Sequence, residues 1–389
     1  LMRSYLNTRL KYLLIDDMKS MSSMIKQVAK DPIIALDIEG NGRHRYPERI
    51  CLMQLASATR IYIVDPIAKI DMTPLCELIE NQDVIKVMHS VSYDVRCLRR
   101  EWGITINNLF DAAIAASFLG LKKTGLATVI QEILEIKIEK SKTLQRSDWT
   151  IRPLNKESVL YAATDVAHLI NLRSELTKRL KAIGRYDWVQ EECQRQVTAT
   201  FKSTDPEIDF FSVKGSGILD PPQMSVLKSL SKLRIKHAVF RDKPLYKILT
   251  DKTLVELAQA NPSIPLSLDN LGPFAFQPLK TELLTAIKNG LNAPPVSRPR
   301  TARRSVMNLV QKKRLELLKS WRRDLGSSLE IDPSLVWPTA SLERIARDIT
   351  TLKTEPHSVE VRNWQTKKFL ENMYGFIHKH GLNERAIKE

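Results

Sequence analysis

Asp37 and Glu39 in LDIEG, Asp94 in HSVSYDVRCL and Asp165 in YAATD are four carboxylates scattered through the first half of the chain, with Tyr161 four residues before the last of them. Carboxylates gathered at one point bind hard cations such as Mg²⁺ or Mn²⁺. Ions held that way bridge a phosphodiester and lower the pKa of an attacking water. The chemistry these residue types support together is metal-assisted hydrolysis of a phosphate backbone.

Each position also has a plain structural reading. Side chains alternate along LDIEG, so Asp37 and Glu39 share one face while Leu36 and Ile38 take the other. The Gly40-Asn41-Gly42 exit places the pair near the open end of a sheet, where sites collect. Asp94 lies near the start of a helix, and alone it is an acid favoured by the helix dipole. Tyr161 and Asp165 are spaced i, i+4 on the apolar helix ESVLYAATDVAHLINLRSEL, which stacks phenol and carboxylate on one face. A carboxylate among Ala, Val and Leu has to be hydrated, paired or metal-bound.

The elements that must position these groups are visible as pattern. PIIALDIEG, ICLMQLAS and RIYIVDP, within residues 32–66, read as three consecutive strands, and VIKVMHS (84–90) as a fourth. Helices are expected over TPLCELIE (73–80) and VSYDVRCLRREWG (91–103), and helical periodicity continues from 110 to 192. The first 200 residues therefore read as a mixed sheet flanked by helices.

At 389 residues the chain exceeds the roughly 250–300 at which one core stops growing, so two or three domains are expected. VKGSGILDPPQ (213–223) and the proline-rich NAPPVSRPR (292–300) mark breaks, giving segments 1–212, 213–292 and 293–389. The last two resemble one another: 227–258 aligns with 318–346, each with a basic helix, a Pro-containing turn and a shorter helix. Thr253 and Ser341 fall where a hydroxyl can cap that shorter helix.

The formal charge of +16 sits mostly in the helical half, where 31 basic residues face 20 acidic ones after position 200, against 29 and 24 before it. Such an excess attracts polyanions. Cys51, Cys76, Cys97 and Cys193 show neither zinc spacing nor a disulfide framework. With no apolar run long enough to span a bilayer, a cytoplasmic protein in a reducing compartment is expected.

The ordered set DxE, then YD after a strand, then YxxxD is similar to the three motifs of the DEDD superfamily of 3′-to-5′ exonucleases, in the tyrosine-bearing subclass. Position 160, where a histidine-bearing member places its histidine, is Leu160, and His168 follows the motif. Further stretches, ERICLMQLA (48–56), VMHS with YD (87–94), LFDAAIAASFLG (109–120) and SDWTIRPLNKESVLYAATD (147–165), resemble the ribonuclease D family. That resemblance implies an α/β RNase H-like exonuclease domain, followed by two small all-α bundles of the HRDC type. It also implies two-metal hydrolysis: Asp37 bridging both ions, Glu39 and Asp165 completing the first, Asp94 holding the second, and Tyr161 positioning the water. The implied products are nucleoside 5′-monophosphates, and the implied substrates are RNAs with a free 3′ end, chiefly transfer RNA precursors.

A pocket for a 3′ end needs lining, and Met53, Gln54, Leu55 and His89 are candidates, with core packing as the alternative. Trp149 and Arg152, in the DWTIRPL loop, are candidates to stack on or pair with the backbone, with a structural role as the alternative. Lys228, Lys232, Arg234, Lys236, Arg241 and Lys243 in the first helical segment, with Arg303, Arg304, Lys312, Lys313, Arg314, Arg322 and Arg323 in the second, read as a backbone grip. Few aromatics in these segments look exposed, so stacking there is not expected. A monomer is expected, because one chain carries both modules. A 3′ DNA exonuclease and a catalytically silent RNA-binding protein remain as alternatives.

Overall fold

The structure, a computed structural model, describes residues 10–139, 141–198, 209–259, 277–299 and 305–382; Arg303 and Arg304 lie outside them. Its centre is a six-stranded sheet of β1 (Tyr12–Ile15), β2 (Ile33–Gly40), β3 (Ile50–Ala56), β4 (Ile61–Val64), β5 (Ile85–Met88) and β6 (Leu109–Asp111), in the order β1-β4-β3-β2-β5-β6. β2, β3 and β4 form an antiparallel meander, as their turn-punctuated apolar runs predict. β5 then joins β2 in parallel after a helical crossover. The short edge strands β1 and β6 are additions that the sequence pattern does not announce, each pairing in parallel with a neighbour distant in sequence.

Among the described residues nine α-helices accompany the sheet: α1 (Met18–Val28), α2 (Thr73–Glu80), α3 (Ser92–Trp102), α4 (Ala112–Phe118), α5 (Leu126–Leu134), α6 (Lys142–Gln145), α7 (Lys156–Ala167), α8 (Leu169–Ala182) and α9 (Tyr186–Thr198). β2 is buried through its middle because α7 and α8 both pack on it. α7 spreads further, over β3 and β4.

The remaining chain is helical, and its two halves repeat. α10 (Pro221–Arg241), α11 (Leu245–Ile248), α12 (Asp251–Gln259) and α13 (Gln277–Asn292) are followed by α14 (Leu309–Ser328), α15 (Pro333–Val336), α16 (Thr339–Arg347) and α17 (Asn363–Lys379), each close in length to its counterpart. Both long helices start with the same device. Asp220 accepts from the Gln223 N–H at 2.8 Å and Asn308 from the Gln311 N–H at 2.9 Å, while each glutamine returns the bond to the cap's own N–H. The shorter helices differ from expectation. Thr250, not Thr253, supplies the hydroxyl that accepts a backbone N–H, and Ser341 is fully buried, accepting from the Trp337 indole at 2.8 Å.

The two helical units join the sheet unit differently. The second shares one continuous apolar core with it, and the first has a core of its own around Leu227, Leu230 and Leu254. Trp188 of α9 stacks on Trp364 of α17 with ring centroids 4.6 Å apart, and Phe118 meets both rings edge-on. Arg362 pairs with Glu192 at 2.7 Å beside them. At the same seam a Cβ on Gly120 would stand 2.3 Å from the Glu330 carbonyl oxygen, so only glycine fits there. The first unit instead docks on the loop that leaves β2. Arg45 bridges Asp148 and Asp242 at 3.0 Å each, the Tyr46 N–H donates to Asp242, and the Tyr246 hydroxyl donates to the Arg43 carbonyl. Among the described residues no helix is long and apolar enough to cross a membrane.

Separate cores predict two calorimetric transitions. Trp364→Ala should lower the transition of the sheet unit, costing about 3–5 kcal/mol, while Leu227→Ala should lower only the other, by about 2–5 kcal/mol. A single transition that both substitutions shift together would contradict this division.

Candidate active site

Asp37 and Glu39 leave β2 on one face, and α7 lays Asp165 across them. One carboxylate oxygen from each of these three residues lies within 4.8 Å of the others. Asp165 is buried, and Asp37 and Glu39 are half-buried, so the cluster opens to solvent on the β2 side. Asp94 is not one of the three. It is buried in the first turn of α3, and burial followed by the charge of Asp37 raises its pKa well above the usual carboxylate range.

The backbone around the four acids is pinned by its own hydrogen bonds. Asp111, at the end of β6, accepts from the Ser90 and Val91 N–H groups at 3.0 Å each and caps α4 with its other contacts. This buried carboxylate thereby fixes the turn from β5 into α3, and with it Asp94. On the other side, the Tyr93 hydroxyl donates to Glu48 at 2.8 Å while Arg100 pairs with the same carboxylate. A Cβ on Gly40 would stand 2.1 Å from that hydroxyl, which is why β2 ends in glycine. Neither Asp111 nor Glu48 stands out in sequence, because an isolated acid carries no mark of what it will pin.

Tyr161 is 7% exposed, its ring 6.3 Å from that of Trp149. Burial, then the charges of Asp165, Glu39 and Asp37, push its phenol above the ordinary tyrosine range, so it stays protonated at neutral pH. The protonated phenol hydrogen-bonds to Asp165 and so stands as a donor at the edge of the carboxylate cluster. Oxygen donors of this number and charge suit hard divalent cations, and the mutual repulsion that raises the pKa of Asp94 is what a cation would relieve.

The structure separates the other expected contact residues. Gln54 sits directly opposite Asp37 in the β2–β3 register, on the same face, but it is 0% exposed. Met53 and Leu55 point to the other face, Leu55 opposite Leu36, and both are core. His89 is half-buried two residues beyond Val87, whose partner on β2 is Ala35, and so falls in the row of Asp37. Trp149 is 2% exposed and offers no stacking surface. All five N–H groups of Arg152 are engaged within the protein, by both Asp65 oxygens and by the carbonyls of Cys51, Trp149 and Ile151. Arg152 therefore builds the loop under Tyr161 and has no donor left for RNA.

Arg234 is likewise buried, binding Asp251 at 2.7 Å and the Leu249 carbonyl, which ties α10 to the turn before α12. Arg322 donates to the Trp337 carbonyl and the Thr339 hydroxyl. Lys228 is half-buried with its ammonium 5.9 Å from the Phe210 ring centre. Lys236 is exposed and paired with Glu282, Arg241 is half-buried and Arg323 is exposed. Among the described aromatics of the helical units Phe240, in the last turn of α10, is the most open, 84% exposed beside Val239, and Tyr246 and Tyr374 are exposed as well.

Two buried polar groups near the site lack hydrogen-bond partners among the described residues, both amide atoms of Gln54 and the Trp149 indole N–H. An amide buried in this way costs about 1–3 kcal/mol.

A mixed sheet whose central strand carries a carboxylate cluster under a tyrosine-bearing helix defines a metal-dependent 3′-5′ exonuclease, and the sequence model of the 3′-5′ exonuclease family matches residues 12–181. The HRDC domain model matches residues 223–274. Ribonuclease D of Zymomonas mobilis is 30% identical over 283 residues, 71% of this chain and 72% of that protein. Ribonuclease D of Desulfotalea psychrophila is 28% identical over 371 residues, covering 94% and 98%. The chain belongs to the ribonuclease D family, the 3′-5′ exoribonucleases. Among solved structures, the fold is shared with Escherichia coli RNase D, at a TM-score of 0.72 and 21% identity over 95% of this chain and all of that one. It is shared also with a protein from Bifidobacterium adolescentis, at 0.75 and 22% over 94% and 96%.

Carboxylates that repel one another should make the metal-free protein gain from losing one. Asp37→Asn is expected to stabilise it by about 0.5–2 kcal/mol. Mn²⁺ at a hundred times its Kd should stabilise the unsubstituted protein by about 2.7 kcal/mol and the variant by much less. Thermal melts with chelator and with Mn²⁺ test both, and a destabilised metal-free variant would count against the repulsion.

Proposed function

We propose that this exoribonuclease uses two Mg²⁺ or Mn²⁺ ions held by Asp37, Glu39, Asp94 and Asp165. The observation that carries the reading is the convergence of Asp37, Glu39 and Asp165 within 4.8 Å, with Asp94 buried where the charge of Asp37 reaches it. When bound, the ions would supply a hydroxide-like water at neutral pH and stabilise the leaving 3′-oxygen. Asp37, which belongs to the cluster and also acts on Asp94, would be the residue to contribute to both ions. Tyr161, kept protonated, donates to the attacking water and orients it. Each cycle releases one nucleoside 5′-monophosphate from a free 3′ end.

Lys236, Arg241 and Arg323, with Lys228 and Arg322 in partial support, are the cations we assign to the RNA backbone, and Phe240 adds a stacking surface among them. The Escherichia coli protein is described as an exoribonuclease involved in structured RNA processing. Structured RNAs, transfer RNA precursors among them, are the substrates we propose here. The division we propose is 1–212, 213–292 and 293–389; the separate core of the first helical unit supports setting 213–292 apart, while 293–389 shares the core of the sheet unit. A monomer is proposed because both helical units come from one chain, and a cytoplasmic location because Cys51, Cys76, Cys97 and Cys193 are all free.

Asp37→Asn and Asp165→Asn should each slow hydrolysis on the order of a thousandfold, as expected for losing several kcal/mol of metal-borne transition-state stabilisation. RNA blocked at its 3′ end should resist, and a matched DNA strand should be cut more slowly. Phe240→Ala should weaken single-stranded RNA binding roughly 5- to 150-fold, the equivalent of about 1–3 kcal/mol of stacking, at unchanged salt dependence. Arg323→Gln should instead reduce the slope of log K against log salt by about 0.7. Equal salt slopes for both variants would refute the assignment of stacking to one and charge to the other.

A further inference from the structure

We propose that Gln54 is a positioning residue for Asp37, holding that carboxylate in the orientation the metal ions require. The inference rests on the reading of Asp37 as a metal ligand and adds a role to a residue that touches neither ion nor RNA.

Gln54 occupies the centre of the sheet face beneath the site. Its cross-strand partners are Asp37 on β2 and Ile63 on β4. Along its own strand, on the same face, stand Leu52, opposite Glu39, and Ala56, opposite Ala35. Of the residues directly opposite or beside it on these strands Asp37 is the polar one, with Glu39 on the diagonal, and side chains directly opposite on antiparallel strands stand about 4.5–5.5 Å apart at Cβ, within reach of a glutamine amide. α7, which carries Tyr161 and Asp165, closes over β2, β3 and β4 and seals the amide at 0% exposure. Neither amide atom has a hydrogen-bond partner among the described residues.

A core position ringed by Leu, Ile and Ala would be filled as well by leucine or methionine. A carboxamide in that place, with no partner among the described residues, is a group for which packing gives no use. The polar group directly across the strand pair from it is the Asp37 carboxylate. An N–H from Gln54 to one Asp37 oxygen would leave the other oxygen directed at the cations, the service that outer hydrogen-bond partners give to metal-binding carboxylates.

The experiment uses the full chain with Gln54→Leu and Gln54→Met, both apolar and close in volume. Three quantities are measured: the melting temperature without metal, Mn²⁺ affinity by calorimetry, and the separate kcat and KM for a short RNA. The expected result is a melting temperature equal to or above that of the unsubstituted protein, Mn²⁺ affinity lowered roughly 10- to 100-fold, and a loss in kcat at nearly constant KM. Mn²⁺ affinity within twofold of the unsubstituted protein would overturn the proposal and leave Gln54 a filler of the core. A clear drop in the melting temperature of both variants would overturn it too, by showing an amide that the fold itself requires. Asp37→Asn runs in parallel: if that variant keeps its Mn²⁺ affinity, the metal-site reading fails, a result distinct from a failure at Gln54 alone.

Discussion

Like charge held at short range is the constraint on which this architecture turns. Two carboxylates 4.8 Å apart, the outer limit within the cluster, repel by roughly 3–4 kcal/mol at an effective dielectric constant of about 20, and here the charge of Asp37 also reaches a fourth, Asp94. A flexible backbone would relax by letting them part. Here it cannot, because each acid sits on an element secured elsewhere. β2 is bonded on both sides, antiparallel to β3 and parallel to β5. The turn carrying Asp94 hangs on Asp111, and Asp165 rides on a helix whose N-terminus is capped by Asn155 at 2.6 Å. The repulsion is therefore retained as a standing affinity for cations.

The basic excess of the helical half answers a different need, and the two units meet it on different footings. The second unit is an extension of the nuclease core, joined through stacked tryptophans and a buried ion pair, so it cannot move without disturbing α9. The first is attached by polar contacts to residues 43–46, the loop that begins just past Glu39. Polar attachments between separate cores are weaker than a shared core. The loop that leaves the carboxylate-bearing strand is consequently the place where the first helical unit and the site touch.

Much of this was legible before any coordinates. Asp37 and Glu39 are on one face because strands alternate, and Tyr161 with Asp165 because helices repeat every 3.6 residues; both rules are local. β1 and β6 were not, since three or four residues carry too little periodicity and their pairing partners lie far along the chain. Arg152 and Arg234 were misjudged from residue type. An arginine in a basic protein looks like an RNA contact until its donors are counted, although Arg234 falls in the buried stripe with Leu230, His237 and Ala238, so its burial could have been read from spacing. Leu55 and Gln54 were grouped as pocket lining, yet adjacent strand residues face opposite ways. Phe240 lies at the rim of the α10 stripe in its last turn, and whether such a residue is covered depends on what the chain does next.

Hydrogen-bond satisfaction is distributed unevenly through the molecule, and the unevenness is informative. Arg152 engages every N–H and Asp111 accepts from several backbone donors, while buried hydroxyls outside the site, such as those of Thr177, Ser231 and Thr366, have no partner among the described residues. Beside the carboxylates, the Gln54 amide and the Trp149 indole are buried without partners. A fold able to satisfy a five-donor guanidinium in the loop under Tyr161 does not lack the means to satisfy one amide on β3. Local rules are broken where function imposes a competing demand, and here the crowded charge of Asp37 and the unsatisfied amide of Gln54 face each other across one strand pair.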